Sequence, residues 1–405
     1  MTELAGQSWA KKKWGDFESF VEGVLYDRDL SISARLFGLF LVPFSFIFYA
    51  IVWLRLFLYQ NGFFYKPTRL DSLVIAVGNL TMGGTGKTPV VECIAKELQS
   101  KGKKVAVLSR GYKSKDEDST NQHSNTKVVS DGSQVLLDSD EAGDEPFMLA
   151  HNLPGVVVLT DKDRVRAGRF ALKEFSVDVL ILDDGFQYLP LRADINLLLV
   201  DQLNPFGNRR LLPRGILREP VKHLSRASYI MVTKSEVEPQ LELLETIRKY
   251  NQRAEIIRCA HKPKVFRGIN SEQQEKLNFL FEKRTGVFSG IASPRGFEQL
   301  ILRMSAELRY KKRFLDHHRY ETDELDRLFQ QAKNSGVEVM ITTEKDAVRI
   351  PKEFKPVLPL YYLRMEIEIV EGIDDFKEAI NSVCELNSPI ELSRKKEFSL
   401  DTNGP

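Results

Sequence analysis

Hydrophobic residues along this chain form one long run near the N-terminus and a series of short runs after it. The long run, Leu36–Leu54, contains no charged residue and lies between Arg35 and Arg55. It is long enough to cross or nearly cross the hydrocarbon of a bilayer, so it predicts a membrane helix. A buried helix is the alternative, although soluble helices seldom go so long without a polar face. Positive charges on both sides leave its orientation open.

The short runs have the length of strands and are apolar at successive positions, which is typical of parallel strands buried on both faces. They are Leu73–Val77, Val105–Leu108, Val156–Thr160, Val179–Leu182, Ile195–Val200, Tyr229–Thr233, Thr285–Ser289, Glu338–Thr343 and Leu358–Leu363. Apolar residues recur with helical spacing between them, over residues 90–98, 297–304 and 325–332. The alternation of strands and helices predicts an α/β fold.

A glycine-rich stretch, TMGGTGKT, joins the first short run to the first helix. Its candidate nucleotide-binding residues are Gly83, Gly84, Thr85, Gly86, Lys87 and Thr88. In a P-loop, glycines turn backbone N–H groups onto an anion, a lysine neutralises the β- and γ-phosphates, and a threonine hydroxyl binds Mg²⁺. The strict pattern has glycine where this chain has Thr81, and the paired glycines supply the flexibility instead. A glycine-rich turn without a ligand is the alternative.

The predicted fold is a P-loop NTPase-type, mostly parallel sheet with helices on both faces, an N-terminal membrane helix and a second, smaller α/β domain. The predicted segments are a polar extension at 1–34, a membrane-anchoring segment at 35–66, a P-loop core at 67–263, the smaller domain at 264–384 and a disordered tail at 385–405. The polar stretch at 114–127 predicts a surface loop.

Two carboxylates follow the apolar run that ends at Leu182. Asp183 and Asp184 come directly after it. A carboxylate at a strand end, downstream of a P-loop, is the Walker B arrangement that reaches the Mg²⁺ of the nucleotide. Either residue can serve, and the strand-end position favours Asp183. Glu219, the one carboxylate in a dense basic loop, is a further candidate metal ligand.

Other polar side chains follow predicted strands, where parallel sheets bind their ligands. The candidates for substrate or phosphate contacts are Arg110, Arg164, Asn208, Arg209 and Arg218. Each has a structural alternative: a surface ion pair for Arg110, a helix cap or ion pair for the Asp163–Arg164 pair, and a solvated loop for residues 208–219.

Asp144 and a pair of histidines complete the candidate chemistry. Asp144, in GDEP, either caps a helix that starts near Pro146 or lies at a strand-end loop that faces the P-loop as a general base. His317 and His318 are adjacent. Adjacent side chains cannot both point one way from a strand, so we expect at most one of these histidines to be functional.

Composition adds two exclusions. The net charge of +2, from 58 basic and 56 acidic residues, is close to balanced and gives no indication of nucleic-acid binding. The three cysteines are widely separated, which excludes a disulfide framework and a cysteine metal site and fits a reducing compartment. No obligate protein partner is evident.

Taken together and in order, the motifs resemble the tetraacyldisaccharide 4'-kinase family, the lipid A 4'-kinases. They are VGNLTMGGTGKTP, SRGY, GDEP, DDGFQ, FGNRRLLPRGILREP, SGIASP, FLDHH and TTEKDAV, behind an apolar helix, and they cover about residues 36–380. The family's own loop lacks the first glycine, which accounts for Thr81. Tyr188 stands where the family usually has histidine, so no role of that histidine is transferred.

The resemblance implies a membrane-bound kinase that moves the γ-phosphate of ATP to the 4'-hydroxyl of a tetraacylated glucosamine disaccharide 1-phosphate, giving lipid IVA. The implied cofactors are ATP and Mg²⁺. The implied location is the bacterial inner membrane, with the catalytic domain on the cytoplasmic face. The resemblance also implies that Asp144 pairs with a histidine of FLDHH, which we place at His317, while Lys87 acts on the phosphates.

A membrane-associated P-loop ATPase that acts as a switch or sorting factor is the rival function. ATPases of that class with a GGTGKT core carry an additional lysine directly before the two glycines, and this chain has Met82 there. A nucleotide-binding anchor without turnover is a third alternative, which the many polar strand-end loops disfavour.

Overall fold

The structure is a computed structural model that describes residues 17, 20–21, 23–27, 29, 31–62, 66–111, 126–238, 241–269, 271, 273–291, 293–304 and 306–385. Most of the predicted extension at 1–34, the polar stretch at 114–127 except its last two residues, and nearly all of the predicted tail lie outside these residues. The predictions for those segments stay predictions.

The strands of the described residues occur at every apolar run that predicts one. They are β1 (Leu73–Asn79), β2 (Val105–Ser109), β3 (Lys127–Asp131), β4 (Val157–Thr160), β5 (Val179–Asp183), β6 (Ile195–Asp201), β7 (Tyr229–Thr233), β8 (Glu255–Gly268), β9 (Gln274–Glu275), β10 (Arg284–Ser289), β11 (Glu307–Arg313), β12 (Val339–Thr343) and β13 (Leu360–Glu371). Lys127, the last residue of the stretch predicted as a loop, is therefore the first residue of a strand.

Helices alternate with these strands. They are α1 (Ile32–Gln60), α2 (Lys87–Ser100), α3 (Ser139–Ala142), α4 (Asp144–Asn152), α5 (Arg164–Phe175), α6 (Leu241–Tyr250), α7 (Pro294–Arg303), α8 (Thr322–Asn334), α9 (Glu344–Ala347) and α10 (Ile373–Glu385), with 3-10 helices at Val221–Arg226 and Leu277–Leu280.

The chain forms two compact units that are discontinuous in sequence. Unit 1 comprises residues 1–87, 182–259 and 369–405, and unit 2 comprises residues 88–181 and 260–368. The contiguous domain boundaries stay a prediction.

Unit 1 is built on parallel strands that pair in the order β8, β7, β6, β1. Every residue of β1 is buried, as its apolar run predicts. Phe186, Leu198 and Ile230 belong to the hydrophobic core of this unit. A Cβ atom at Gly78 would come 2.6 Å from the Cβ of Phe186. Only glycine therefore lets β1 lie so close to the segment that contains Phe186. The core therefore fixes β1 and the loop that follows it.

Helix α1 also belongs to unit 1. Among the described residues, residues 32–59 form the one helix whose length and apolar composition would suit a membrane span. In its most apolar window only 6% of the residues are buried. Ser45 ties the helix to a basic loop, because its Oγ donates to the Leu211 carbonyl at 2.9 Å and accepts from the Arg214 N–H at 3.1 Å. The alternative of a buried soluble helix does not fit this exposure.

Unit 2 contains two groups of strands. In the first, β2 pairs in parallel with β4, and β3 pairs antiparallel with β4. In the second, β11, β10, β12 and β13 pair in parallel in that order. The β-structure is thus mixed but mostly parallel, as predicted, and polar residues follow the end of β12.

Candidate active site

The P-loop adopts a backbone that requires glycine at two places. Gly83 has a φ of +103° and Gly86 a φ of +84°, in the region that glycine adopts without strain. Thr81, where the strict pattern has glycine, is buried and forms a bridge with Leu217. The Asn79 amide donates to the Thr81 carbonyl at 2.9 Å. The first loop residue is thus held in place, and the flexibility starts after it.

The end of β7 holds the carbonyl side of the same loop. The Thr233 hydroxyl donates to the Thr85 carbonyl at 2.8 Å, and the Lys234 ammonium donates to the Gly84 carbonyl at 3.0 Å. Lys234 also pairs with Asp201. Because these contacts occupy loop carbonyls, they favour a loop whose N–H groups are directed toward an anion. The sequence reasoning missed Lys234, although it directly follows a predicted strand.

Lys87 lies in a charged cluster with the second Walker B carboxylate. Its Nζ donates to Asn79 Oδ1 at 3.3 Å and lies 3.7 Å from Asp184 Oδ1. Arg218 donates to both oxygens of Asp184, at 2.8 and 2.9 Å. The Gln187 amide donates to the Asn79 carbonyl at 3.0 Å. The structure therefore brings together three predicted residues and adds Asn79 and Gln187, which sequence reasoning missed.

The predicted metal ligands lie in different surroundings. Asp183 is the last residue of β5 and is buried, whereas Asp184 has a left-handed φ of +53° and a half-buried side chain. Thr88 is in the first turn of α2. The described residues contain no group of three or more His, Cys, Asp or Glu side chains that could hold a metal. A nucleotide-bound Mg²⁺ needs fewer protein ligands, because phosphates and waters fill most of its positions.

Glu219 already has two basic partners. Its Oε2 lies 2.7 Å from His223 Nδ1 and pairs with Arg226 Nη1. Arg226 also donates to the Phe186 carbonyl at 2.7 Å. The carboxylate is buried and its charge is balanced by protein groups, and a metal role for it stays a prediction.

The remaining predicted substrate contacts differ in exposure. Arg110 is exposed just after β2, while Arg164 is buried and donates to the Lys162 carbonyl at 3.4 Å. The Asn208 amide donates to the Arg214 carbonyl at 3.2 Å, and the exposed Arg209 pairs with Glu242 at 2.8 Å. Asp163 accepts from two N–H groups of α5 and is its N-cap, as one alternative predicts.

Asp144 of unit 2 is not a helix N-cap. Gly143 occupies the N-cap position of α4, and Asp144 is the first helical residue, so the cap alternative is wrong, while the helix does start near Pro146. Its Oδ2 lies 3.2 Å from His317 Nδ1. The family resemblance implies that these two residues form a pair, and the structure confirms that they are in contact.

Two arginines contact the same carboxylate. Arg349 Nε donates to Asp144 Oδ2 at 2.8 Å, and Arg319 Nη2 lies 3.1 Å from Asp144 Oδ1. Burial alone would raise the pKa of Asp144, but the hydrogen bond with His317 and the charges of Arg349 and Arg319 outweigh it and lower the pKa to about 2. The carboxylate is therefore ionised throughout the physiological pH range.

The two histidines of FLDHH lie in a turn rather than on a strand. His317 has a left-handed φ of +63°, and its N–H donates to the Gly290 carbonyl at 3.2 Å. Its Nε2 lies 3.1 Å from Lys345 Nζ. His318 points to a different partner, Glu324 Oε2 at 2.6 Å, and stacks on Phe314. Only His317 contacts the Asp144 carboxylate.

Comparison with known proteins finds one family, and the match covers the segments that carry both groups of residues. A family model described as tetraacyldisaccharide-1-P 4'-kinase matches residues 37–385. The chain is 34% identical to a tetraacyldisaccharide 4'-kinase of Halothermothrix orenii over 381 residues, which is 90% of this chain and 97% of the relative. It is 38% identical to one of Desulfotalea psychrophila over 345 residues, 84% of this chain and 95% of the relative.

A solved structure gives the same match. The crystal structure of LpxK from Aquifex aeolicus in complex with ATP superposes with a TM-score of 0.68 at 30% sequence identity, and the match covers 84% of this chain and 98% of that chain.

Proposed function

The chain belongs to the tetraacyldisaccharide-1-P 4'-kinase family, and we propose how its own residues carry out that reaction. It is an ATP-dependent kinase of lipid A biosynthesis that phosphorylates the 4'-hydroxyl of a tetraacylated glucosamine disaccharide 1-phosphate to form lipid IVA. The rival function, an ATPase switch, has no support in these comparisons.

The P-loop and the Walker B segment supply the nucleotide-binding residues in this proposal. The loop from Gly83 to Gly86 binds the phosphates through its N–H groups, and Lys87 neutralises the β- and γ-phosphates. Mg²⁺ would be held by Thr88 and a Walker B carboxylate, with Asp183 favoured because it is the residue that ends β5. When bound, the metal neutralises charge on the transferred phosphate.

Unit 2 supplies the proton acceptor. The Asp144–His317 pair removes the proton of the 4'-hydroxyl as its oxygen bonds to the γ-phosphorus and the bond to ADP breaks. A carboxylate whose pKa is about 2 is a weak base by itself. The pair therefore acts as a unit in which the imidazole shares the proton.

The Lys87 cluster of unit 1 is the observation that carries the proposal. The P-loop lysine Lys87 and Arg218 both lie within ion-pair distance of Asp184, the predicted Walker B aspartate, at the start of α2. Incubation with ATP, Mg²⁺ and the tetraacylated disaccharide 1-phosphate should give a product heavier by one phosphate. ATP hydrolysis that ignores the lipid would overturn the kinase assignment in favour of the ATPase.

We also propose that α1 anchors the enzyme to the bacterial inner membrane with both units on the cytoplasmic face. Large apolar residues are exposed along the helix, among them Leu36 at 63% and Phe40 at 61%. Exposure of so many apolar side chains in water is unfavourable, and a bilayer would cover them. Cytoplasmic ATP then has access to the P-loop.

Deletion of residues 1–60 should release most of the protein from membranes. A sharper variant carries Leu36→Gln, Phe40→Gln, Ile47→Gln and Ile51→Gln, because these four side chains are exposed and the helix itself is kept. We expect the four changes to move most of the protein from the membrane pellet to the supernatant after centrifugation of a cell lysate.

The matched control replaces exposed apolar residues elsewhere in unit 1. Leu203→Gln, Val237→Gln and Leu241→Gln alter side chains that are at least as exposed. The control should sediment like the intact chain. Equal sedimentation of the α1 variant and the intact chain would rule out α1 as the anchor.

Lys234→Met should weaken ATP binding without removing a group that contacts the transferred phosphate in this proposal. The change removes the contact with the Gly84 carbonyl and leaves Asp201 without its lysine. Loss of one charge-assisted hydrogen bond predicts an increase of about tenfold in KM for ATP, with a smaller change in kcat. The test is steady-state kinetics of Lys234→Met, with Lys262→Met as the control because Lys262 is an exposed lysine of β8. An unchanged KM for ATP in Lys234→Met would contradict the prediction.

A further inference from the structure

Three basic side chains from different segments of unit 2 converge on the Asp144–His317 pair. Arg319 precedes α8, Lys345 lies in α9, and Arg349 follows α9. The side chain of Arg349 is fully buried, whereas those of His317 and Lys345 are 20% and 26% exposed. Nothing in the reaction as proposed uses Lys345 or Arg349, yet both touch the proton acceptor.

Arg349 is held rigidly by groups outside the pair. Its Nη1 donates to the Gly290 carbonyl at 3.0 Å and lies 3.3 Å from Asp346 Oδ1. Asp346 in turn accepts from the Tyr320 hydroxyl at 2.9 Å and from the Gly290 N–H at 3.0 Å. Because the guanidinium is planar and its donors are fixed, these anchors aim Nε at the Asp144 carboxylate.

The contacts of the imidazole restrict where its proton lies. Lys345 can only donate, and its Nζ lies 3.1 Å from Nε2 of His317. Nδ1 lies 3.2 Å from both Asp144 Oδ2, which accepts, and Arg349 Nη2, which can only donate. With its proton on Nδ1, a neutral ring bonds Asp144 and accepts from Lys345 at Nε2, whereas the other tautomer could only accept from Arg349. An imidazolium would direct a second N–H at the ammonium of Lys345. Arg349 Nη2, 3.2 Å from Nδ1, adds another positive charge.

We propose that Lys345 and Arg349 are positioning residues that set the charge state of the Asp144–His317 pair. Arg349 keeps Asp144 as the carboxylate, and Lys345 keeps His317 neutral with its proton on Nδ1. The pair then carries one negative charge and one unprotonated ring nitrogen, so it is ready to accept one proton. This inference rests on the proposed role of the pair as proton acceptor.

Other charged groups of unit 2 also face this cluster. Arg319 lies 3.1 Å from Asp144 Oδ1 and is balanced by Asp140 at 2.9 Å. Asp316 lies 3.7 Å from Lys345 Nζ. Burial raises the pKa of Asp346 despite its contacts with Thr343 and Arg349. Lys345 is thus the positive group in contact with Nε2, and Arg349 is the buried one in contact with Asp144.

The first test is the tautomer of His317 in the full-length enzyme. Histidine is labelled with ¹⁵N, and the signals of His317 are assigned from the spectrum of His317→Asn. Near neutral pH we expect Nδ1 to be protonated and Nε2 to be unprotonated. Lys345→Met should lose this preference or let the ring gain a second proton. A protonated Nε2 in the unchanged enzyme would overturn the inference, independently of any activity.

The second test is the pH dependence of kcat. On the acid side of this profile activity falls as pH decreases, and we call this part the acid limb. In Lys345→Met the limb should move to higher pH by about one unit or more, because a positive neighbour no longer opposes protonation of the ring. Arg349→Met removes a positive charge 3.2 Å from Nδ1 and should therefore move the same limb in the same direction, with Arg349→Lys between it and the unchanged enzyme. Lys333→Met, an exposed lysine at the end of α8, is the control and should leave the limb in place.

The two proposals fail in different ways. A purely structural role of Lys345 would lower kcat at every pH without moving the limb, and that result overturns the inference. Should Arg349→Met fail to fold, Lys345→Met and Arg349→Lys decide. If Asp144→Asn and His317→Asn both keep normal turnover, the proton-acceptor role itself is wrong. If they lose turnover while the limb of Lys345→Met stays in place, only the present inference is wrong.

Discussion

Lys87→Ala should lower kcat/KM for ATP by about 10³-fold, at the upper end of what the loss of one preorganised charge costs. Negative charge is redistributed over the oxygens of the γ-phosphoryl group and the leaving group during transfer, and in the proposed mechanism Lys87 neutralises it. The fold should survive, because Lys87 is the first residue of α2 and, among the described residues, its side chain contacts are with Asn79 and Asp184. The measurement is steady-state phosphorylation of the lipid acceptor together with the melting temperature.

Two companion variants make the result specific. Lys87→Arg keeps the charge but replaces a compact ammonium by a planar fork, so we expect it to recover little activity. Lys96→Met removes a lysine of the same helix, where the ammonium pairs with Glu92 at 2.6 Å, and should keep near-normal turnover. Activity of Lys87→Ala within tenfold of the unchanged enzyme would contradict the assignment of the P-loop.

The P-loop could be predicted because its signal is local. Strand, glycine-rich loop, Lys87 and helix follow one another in the sequence, and each has its own short-range pattern. The same holds for the Walker B carboxylates, which directly follow an apolar run. Even the departure at Thr81 is local, since this residue is held by its own neighbour Asn79 and by Leu217.

Strands without an apolar run could not be predicted in this way. The residues of β11, ELRYKKR, are all exposed or half-buried, and β8 continues through a charged segment. Their strand structure comes from pairing with neighbouring strands, a tertiary effect that overrides local composition.

The missed site residues share a different cause. Arg349 contacts Asp144 although 205 positions of sequence separate them. Its motif has the pattern of an ordinary polar segment after a strand, which does not indicate a contact with Asp144. Lys234 and Asn79 likewise acquire their roles only from the loop they contact in the fold. His317 was found despite a separation of 173 positions because the family resemblance, rather than any spacing, connects it with Asp144.

Asp144→Asn and His317→Asn should each lower kcat by about 10²–10⁴-fold, the usual contribution of a positioned general base. Asparagine suits position 317 because it tolerates the left-handed backbone there, whereas alanine would add strain of about 1 kcal/mol. His318→Asn is the matched control. That ring bonds Glu324 and does not contact Asp144, so its replacement should leave kcat within a few-fold of normal.

Stability has to be measured beside turnover, because Asp144 also neutralises the buried Arg349. Its pKa is lowered on folding, so its contribution to stability is present above about pH 4 and is lost as pH falls toward about 2. Asp144→Asn should therefore melt earlier than the unchanged enzyme near neutral pH, and the difference should shrink in acid. His317→Asn, at a more exposed position, should melt close to normal. Turnover is compared well below both melting temperatures.

The double variant decides whether the two residues act as one proton acceptor. If they form a unit, the first change already removes the function, and the second adds little further loss of kcat. Independent roles would instead make the two losses multiply. If the two losses multiply, Asp144 and His317 act in different steps of the reaction. If folded Asp144→Asn has normal turnover, the carboxylate has a structural role only. A non-additive cycle, with His317→Asn melting normally, is the result that the contact between Oδ2 and Nδ1 predicts.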